Sequence, residues 1–153
     1  MRKDREYPAH PLVGVGALVH DGEGRVLLIK RRFEPNKGRW SLPGGLLETG
    51  ETLVYAGKRE VREELGVEID VEELFQVSEE IIKDAEGKTR FHFVLVDFLA
   101  KVSPNGATIT LNDESDSFNW FEPEQVKALD VSENTRLIVR KYLEERLGGQ
   151  SRH

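Results

Sequence analysis

Hydrophobic and polar positions along the chain are grouped into blocks, and the first blocks are typical of strands. The apolar runs 12–20 and 25–30 flank an Asp/Gly-rich segment, 21–24, and this arrangement predicts a β-hairpin. Residues 40–45, Trp-Ser-Leu-Pro-Gly-Gly, predict a short extended piece that proline and two glycines interrupt.

After residue 50 the pattern changes to a helical period. Apolar residues recur at three- and four-residue spacing between positions 52 and 65: Leu53, Val54, Ala56, Val61 and Leu65. Thr52 is suited to cap the amino end of this helix, and Gly66 is suited to end it. Gly57 within the helix costs about 1 kcal/mol relative to alanine, so we expect close packing at that position.

The remaining pattern contains further strands and two helices. Residues 91–102 are apolar on both faces, which predicts a central, buried strand. The other predicted elements are strands 67–77, 107–111 and 118–121, turns 83–90 and 104–106, and helices 123–129 and 133–147. We expect Ser132 to cap the last helix, Gly148 and Gly149 to end it, and residues 150–153 to form a frayed tail. Together these elements predict a mixed α/β (α+β) domain.

Composition sets limits on the size of the fold and on its partners. The chain has 153 residues, 38% of them hydrophobic, which predicts one domain over 1–153 with its core at about 12–147. There are 22 Lys and Arg against 28 Asp and Glu, a net charge of −6 that argues against a nucleic-acid polymer as partner. An acidic protein with an anionic substrate needs a local positive charge, and a metal cation is the obvious source.

The residue types that are missing exclude several classes of protein. The sequence has no cysteine, which excludes disulfides, thiolate metal sites and cysteine nucleophiles. Residues 1–5 are polar and no apolar signal-peptide core follows them, and the apolar runs are shorter than the ~18–20 residues of a membrane span. We therefore expect a cytoplasmic protein without a membrane partner.

Three carboxylates on the predicted helix are the first candidates for chemistry. Glu60, Glu63 and Glu64 lie at i, i+3 and i+4, so they share one side of the helix. Like charges in that arrangement repel one another unless a cation lies among them, and hard oxygen ligands suit Mg²⁺ or Mn²⁺. Arg59 and Arg62 flank the set and can orient it. A solvated surface helix is the competing interpretation of the triplet taken alone.

The residues around the triplet favour the metal interpretation. The segment 45–67 resembles the signature box of the Nudix hydrolase family, and the lead-in 40–44 is also similar. All nine specified positions of the box match: Gly45, Glu51, Arg59, Glu60, Val61, Glu63, Glu64, Gly66 and Val67. This resemblance covers about 12–147 and implies a Nudix-type α/β/α sandwich with a mixed central sheet.

The resemblance also implies roles for the residues of the box. Glu60, Glu63 and Glu64 would bind one or more Mg²⁺ ions, with Mn²⁺ as the alternative, and the carbonyl of Gly44 would complete the ligand set. Glu63 is the first candidate for the general base that takes the proton of the attacking water, although the family varies in which glutamate does so.

The other residues of the box have structural roles in the family. The resemblance implies that Glu51 and Arg59 form an ion pair that fastens the loop to the helix. Gly45 would let the backbone turn and approach a phosphate. Gly66 would end the helix.

An acidic loop outside the box is a further candidate. It contains Asp113, Glu114 and Asp116 and precedes Trp120. Many members of the family have an acidic ligand or base in such a loop, and Glu114 is the best match, which adds it to the catalytic set with Glu60 and Glu63. An ordinary acidic loop is the competing interpretation.

Cationic and aromatic residues near the box are candidates for substrate binding. Arg32, within the basic cluster 30–32, is a candidate phosphate clamp, and Phe33 is a candidate for stacking on a nucleobase. Arg39 belongs to the same candidate set. Trp40 and Phe91 are also aromatic, but burial in the core is the commoner fate of such side chains.

These observations predict a Mg²⁺-dependent pyrophosphohydrolase that acts on a small nucleotide-derived molecule. The lead-in and the compact size resemble those of the family's ADP-ribose-type pyrophosphatases, and this resemblance implies ADP-ribose, cleaved to AMP and ribose 5-phosphate, as the first substrate hypothesis. The alternatives are a nucleoside triphosphate pyrophosphohydrolase of the oxidised-dGTP type and a non-catalytic nucleotide-binding module. Some relatives form dimers, so a homodimer is a further hypothesis.

Overall fold

A computed structural model of the chain describes residues 5–104 and 107–151. These ranges contain seven strands and three helices. The strands are β1 (Leu12–His20), β2 (Val26–Arg31), β3 (Trp40–Ser41), β4 (Gly44–Leu46), β5 (Ile69–Lys83), β6 (Thr89–Val102) and β7 (Ser115–Phe121). The helices are α1 (Leu53–Leu65), α2 (Pro123–Val126) and α3 (Glu133–Ser151).

The strands form one mixed sheet that is built around β1. Its main path runs β3-β2-β1-β6-β5, with β4 paired to β1 and β7 paired to β2. The β1–β6 pair is parallel, and the other pairs are antiparallel. The predicted hairpin and the predicted central strand are both confirmed: β1 pairs with β2, and β6 lies between β1 and β5.

Helices cover both faces of the sheet, because successive residues of a strand point to opposite sides. Leu18 packs in a core with Ile138 and Tyr142 of α3, whereas its neighbour Val19 packs in a core with Val61 of α1. The predicted α/β/α sandwich is therefore confirmed.

Helix α1 begins and ends as the sequence predicts. The Thr52 hydroxyl accepts a hydrogen bond from the Tyr55 N–H, and Gly66 adopts the left-handed conformation with φ of 69°. Gly57 faces the sheet, where an added Cβ would lie 3.5 Å from both Val15 and Phe98. The absence of a side chain there lets the helix lie close against β1 and β6.

Three strand predictions needed correction. Strand β7 begins at Ser115, three residues before the strand predicted at 118–121. Strand β5 is longer than predicted and extends to Lys83, and the turn that follows it is shorter. Residues 107–111 do not form a strand. Instead, the Thr110 and Asn112 N–H groups donate to the carbonyls of Leu65 and Glu64 at the end of α1, so this segment satisfies a helix terminus rather than a sheet.

The helices near the carboxyl end also differ from their predicted bounds. Helix α2 ends at Val126, three residues early. The Ser132 hydroxyl accepts from the Thr135 N–H, as predicted, but α3 continues through the two glycines to Ser151, so the predicted tail is wrong for residues 150 and 151. Residues 152–153, and the Asn-Gly pair of the turn predicted at 104–106, lie outside the described ranges. Within those ranges, no helix has the length and apolar character that crossing a membrane requires.

Candidate active site

A charged contact fastens the loop before α1 to the helix. The Arg59 guanidinium donates to Glu51 through Nε at 2.5 Å and through Nη2 at 2.8 Å, and it also donates to the Leu46 carbonyl. Both side chains of the pair are only about a tenth exposed. Hydrogen bonding to Arg59 lowers the pKa of Glu51, so both partners stay charged. The implied ion pair is present.

Glu60 lies under β4 in a desolvated position. Burial raises the pKa of its carboxyl group, and the hydrogen bond from Arg59 at 2.7 Å offsets this only in part. Its carboxylate lies against Gly45, where an added Cβ would collide with it. Glycine at position 45 therefore allows the strand to approach the carboxylate.

Glu64 is held even more tightly by the same strand. It is 2% exposed, and its Oε2 accepts a 2.8 Å hydrogen bond from the Gly44 N–H. An added Cβ at Gly44 would collide with the Val15 carbonyl. Gly44 thus lets β4 lie close against β1, and its N–H binds Glu64, while Gly45 makes room for Glu60.

Glu63 is far more exposed than the other two glutamates, although it shares the Arg59 Nη1 group with Glu60. Its side chain is 55% exposed and lies 3.3 Å from Arg59. Neighbouring residues of a helix are about 100° apart, so Glu63 and Glu64 cannot both face β4. Across residues 5–104 and 107–151, no three acidic or histidine side chains converge closely enough to hold an ion as they stand.

The donor set of this site nevertheless fits a hard divalent cation. Its side-chain donors are carboxylate oxygens, the ligands that Mg²⁺ and Mn²⁺ prefer. The buried carboxyl of Glu60 has a raised pKa because its negative charge is poorly solvated, and a nearby cation favours the charged form. Glu60, Glu63 and Glu64, with the Gly44 carbonyl, remain the predicted ligands.

A cleft opens beside β4, between the sheet and the start of α3. We call it the sheet–α3 cleft. Its floor includes Gly14 and Gly16 of β1 together with Asp97 of β6, and Asn134 closes it from α3. Residues 43–46 form another wall, so the strand that contacts Glu60 and Glu64 also lines the cleft.

Asp97 is the most unusual side chain in the cleft, and the sequence analysis missed it. It is 3% exposed, and burial raises its pKa to about 6 against a hydrogen bond from Asn134 that lowers it. A signal was available, because Asp97 is the single charged residue in the otherwise apolar stretch 93–100 of the predicted central strand. A charge in a buried strand indicates a functional role.

Replacing this carboxylate should stabilise the fold at neutral pH. The pKa of Asp97 is about 6 in the fold against 3.8 for an ordinary aspartate, so the folded state binds more protons and stability is lost as pH rises from 4 to 6. Asp97→Asn removes this loss. We compare the free energy of unfolding of the variant with that of the wild type at each pH. The variant's advantage should be about 2–3 kcal/mol larger at pH 8 than at pH 4. Urea denaturation at both pH values measures the gain, and an equal gain at both would contradict the prediction.

The predicted substrate-binding residues occupy different places. Arg39 lines a second cleft beside the first, with Glu80 and Arg90, and pairs with Asp130 at 3.3 Å. Arg32 pairs with Asp116 and lines neither cleft, and nor does the part-exposed Phe33.

Other members of the sequence-derived set are also placed by the fold. Arg31, from the same basic cluster as Arg32, lines the sheet–α3 cleft. Glu114 lies in the turn before β7, where its carbonyl accepts from the Arg32 N–H at 3.1 Å. Trp40 packs edge-on against Phe121, and Phe91 is buried, so both belong to the core.

Comparisons with known proteins agree with this geometry. The NUDIX domain family model matches residues 10–142. The chain is 30% identical over 143 residues to the ADP-ribose pyrophosphatase of Methanocaldococcus jannaschii, covering 94% of this chain and 79% of that protein. It is 33% identical over 104 residues to the nucleoside triphosphatase NudI of Enterobacter sp. (strain 638), covering 65% and 73%.

A solved structure shows the same likeness in three dimensions. The MutT NUDIX hydrolase from Burkholderia pseudomallei superposes with a TM-score of 0.68 at 32% identity, covering 86% of this chain and 97% of that one. The chain therefore belongs to the Nudix hydrolase family, enzymes that act on phosphoric anhydride bonds.

Proposed function

We propose that the chain hydrolyses a nucleoside diphosphate linked to a second group, with ADP-ribose as its substrate and AMP and ribose 5-phosphate as products. The observation that supports this most is the position of β4. One face of this strand contacts Glu60 and Glu64, and the strand also lines a cleft that holds hydrogen-bonding groups. A nucleotide in the cleft would thus present its diphosphate close to the carboxylates. The similarity to an ADP-ribose pyrophosphatase along 94% of the chain favours that substrate.

The chemistry requires water to attack a phosphorus atom that anionic oxygens shield. When bound, a divalent cation neutralises charge on the diphosphate oxygens and makes a water molecule easier to deprotonate. Glu60 and Glu64 would hold the cation against β4, with Glu63 and the Gly44 carbonyl as further ligands. The exposed carboxylate of Glu63 is free to turn and take the proton of the attacking water.

Arg59 acts on this machinery as a positioning residue. Its guanidinium donates to Glu60 at 2.7 Å and also to Glu51, so the orientation of Glu60 depends on the loop that precedes α1. Arg31 in the sheet–α3 cleft and Arg39 in the neighbouring cleft can bind phosphate or ribose oxygens. Three residues keep their predicted roles untested: Arg32 as a phosphate clamp, Phe33 as a stacking partner of the base and Glu114 as a metal ligand or base. The homodimer and the cytoplasmic location also stay predictions.

The second candidate activity is hydrolysis of a nucleoside triphosphate to a nucleoside monophosphate and pyrophosphate. The similarity to the nucleoside triphosphatase NudI favours it, although that alignment covers only 65% of the chain. The two activities use the same carboxylates and differ in the products they release.

A product analysis separates the two candidates. With Mg²⁺ present, we expect ADP-ribose to yield AMP and ribose 5-phosphate faster than dGTP yields dGMP and pyrophosphate. Chelation by EDTA should abolish the activity and added Mn²⁺ should restore it, because the carboxylates need a cation between them and the substrate. Chromatography of the products measures both reactions. Faster release of pyrophosphate would favour the second candidate, and full activity in EDTA would contradict the metal site.

A further inference from the structure

The buried carboxylate of Asp97 has fewer hydrogen bonds than such a group normally requires. In the described part of the chain it takes one, from the Asn134 Nδ2 to its Oδ2 at 3.1 Å. A carboxylate can accept about four hydrogen bonds, and burial without them is costly. Its Oδ1 faces the side of Gly16 that lacks a side chain, where an added Cβ would lie 2.6 Å away.

A second hydrogen bond fixes the orientation of Asn134. The Ser78 hydroxyl on β5 donates to the Asn134 Oδ1 at 2.7 Å, which turns the amide nitrogen toward Asp97. Among the described residues, the Nδ2 group uses one of its two hydrogens, in the bond to Asp97. The cleft therefore presents an acceptor, Asp97 Oδ1, close to a donor, the second N–H of Asn134.

A third polar group in the cleft also lacks a partner. The Ser41 hydroxyl is buried in the cleft wall and has no hydrogen-bond partner among the described residues. Leu42, Phe93 and Leu95 supply apolar surface in this cleft, which is also lined by polar and charged side chains, Arg31 and Glu80 among them. Apolar surface beside a few convergent polar groups suits a planar, partly polar ring.

We propose that Asp97, held by Asn134, is a specificity-determining residue that accepts a hydrogen bond from the exocyclic amine of a nucleobase in the sheet–α3 cleft. Adenine has such an amine beside a ring nitrogen, so the amine donates to Asp97 Oδ1 while the ring nitrogen accepts from Asn134. In the same orientation, hypoxanthine would turn its keto oxygen toward the carboxylate and its ring N1–H toward the Asn134 donor, so both contacts would be lost. The inference rests on the proposed function in taking adenine as the base.

Binding of the monophosphates AMP and IMP tests the inference without hydrolysis. They share phosphate and ribose, so the ratio of their dissociation constants reports on the base edge alone. We expect the wild type to bind AMP at least about tenfold more tightly than IMP. Asp97→Asn should weaken the binding of AMP and bring the ratio of the two dissociation constants close to one. Isothermal titration calorimetry measures all four constants.

A matched aspartate serves as the control. Asp70 is exposed on β5, where it binds Ser103, so Asp70→Asn should leave the ratio unchanged. Asn134→Ala is a second test of the same contact and should also bring the ratio close to one. The inference would be overturned by a wild-type ratio near one or by no measurable binding of either nucleotide. It would also be overturned if Asp97→Asn left the ratio unchanged or weakened the binding of AMP and IMP equally.

The binding result and the proposed function can fail separately. If the wild type prefers AMP through Asp97 but does not cleave ADP-ribose, the proposed substrate is wrong and the recognition stands. If it cleaves ADP-ribose but Asp97→Asn leaves the ratio unchanged, the reaction stands and the role of Asp97 is wrong.

Discussion

Glu63→Gln should lower kcat for the preferred substrate by ~10²–10⁴-fold, the usual contribution of a general base. The amide of glutamine cannot take a proton from water, whereas it can occupy the same volume. The Glu63 side chain is more than half exposed, and among the described residues its carboxylate hydrogen-bonds only to Arg59, so the fold should not change. Steady-state kinetics with saturating Mg²⁺, together with a thermal melt, measures both effects.

The same helix offers matched comparisons for this variant. Glu68 follows α1, is partly exposed and pairs with Arg62, so Glu68→Gln should retain wild-type activity. Glu60→Gln and Glu64→Gln should instead raise the Mg²⁺ concentration needed for half-maximal rate, because these carboxylates lie against β4. Activity of Glu63→Gln within threefold of the wild type would remove Glu63 from the chemistry.

Arg59→Met should be the most destabilising change at any charged position of the box. It removes the cation that hydrogen-bonds to the carboxylates of Glu51 and Glu60 in a poorly solvated place, and it removes the bond to the Leu46 carbonyl. We expect the melting temperature to fall by about 10 °C, as for breaking a buried ion pair. Differential scanning calorimetry without added metal measures the change.

An exposed arginine on the same helix is the control. Arg62 pairs with Glu68 at 2.5 Å, but both side chains are nearly half exposed, so Arg62→Met should shift the melting temperature by no more than about 2 °C. If both variants lower the melting temperature by the same amount, the Glu51–Arg59 contact does not fasten the loop to the helix.

The sequence predicted the parts of the structure that depend on local pattern. The period of α1, the cap at Thr52 and the left-handed Gly66 are local, and all three are confirmed. Segment 107–111 was mispredicted because its alternating residues serve a different purpose. Ile109 and Leu111 pack into the core beside α1, while the backbone between them binds the helix end.

The candidate site divides in the same way. The Glu51–Arg59 pair could be predicted because both residues occupy specified positions of the Nudix signature box, whose resemblance implied the pair. Asp97 and Asn134 could not, since they are 37 positions apart and meet only through the packing of α3 on β6. Likewise, periodicity placed Glu63 and Glu64 on one side of the helix, but only the position of β4 shows that Glu64 is enclosed while Glu63 is open to solvent.

The position of β4 has a consequence for how this enzyme could acquire new substrates. The carboxylates lie on one side of that strand, on α1, whereas Asp97 and Asn134 come from β6 and α3 on the far wall. Substitutions in β6 or α3 could therefore retune which ring is accepted without moving the groups that cleave the diphosphate. Such a division would let duplicated genes evolve different substrate preferences while their products keep the same hydrolytic reaction.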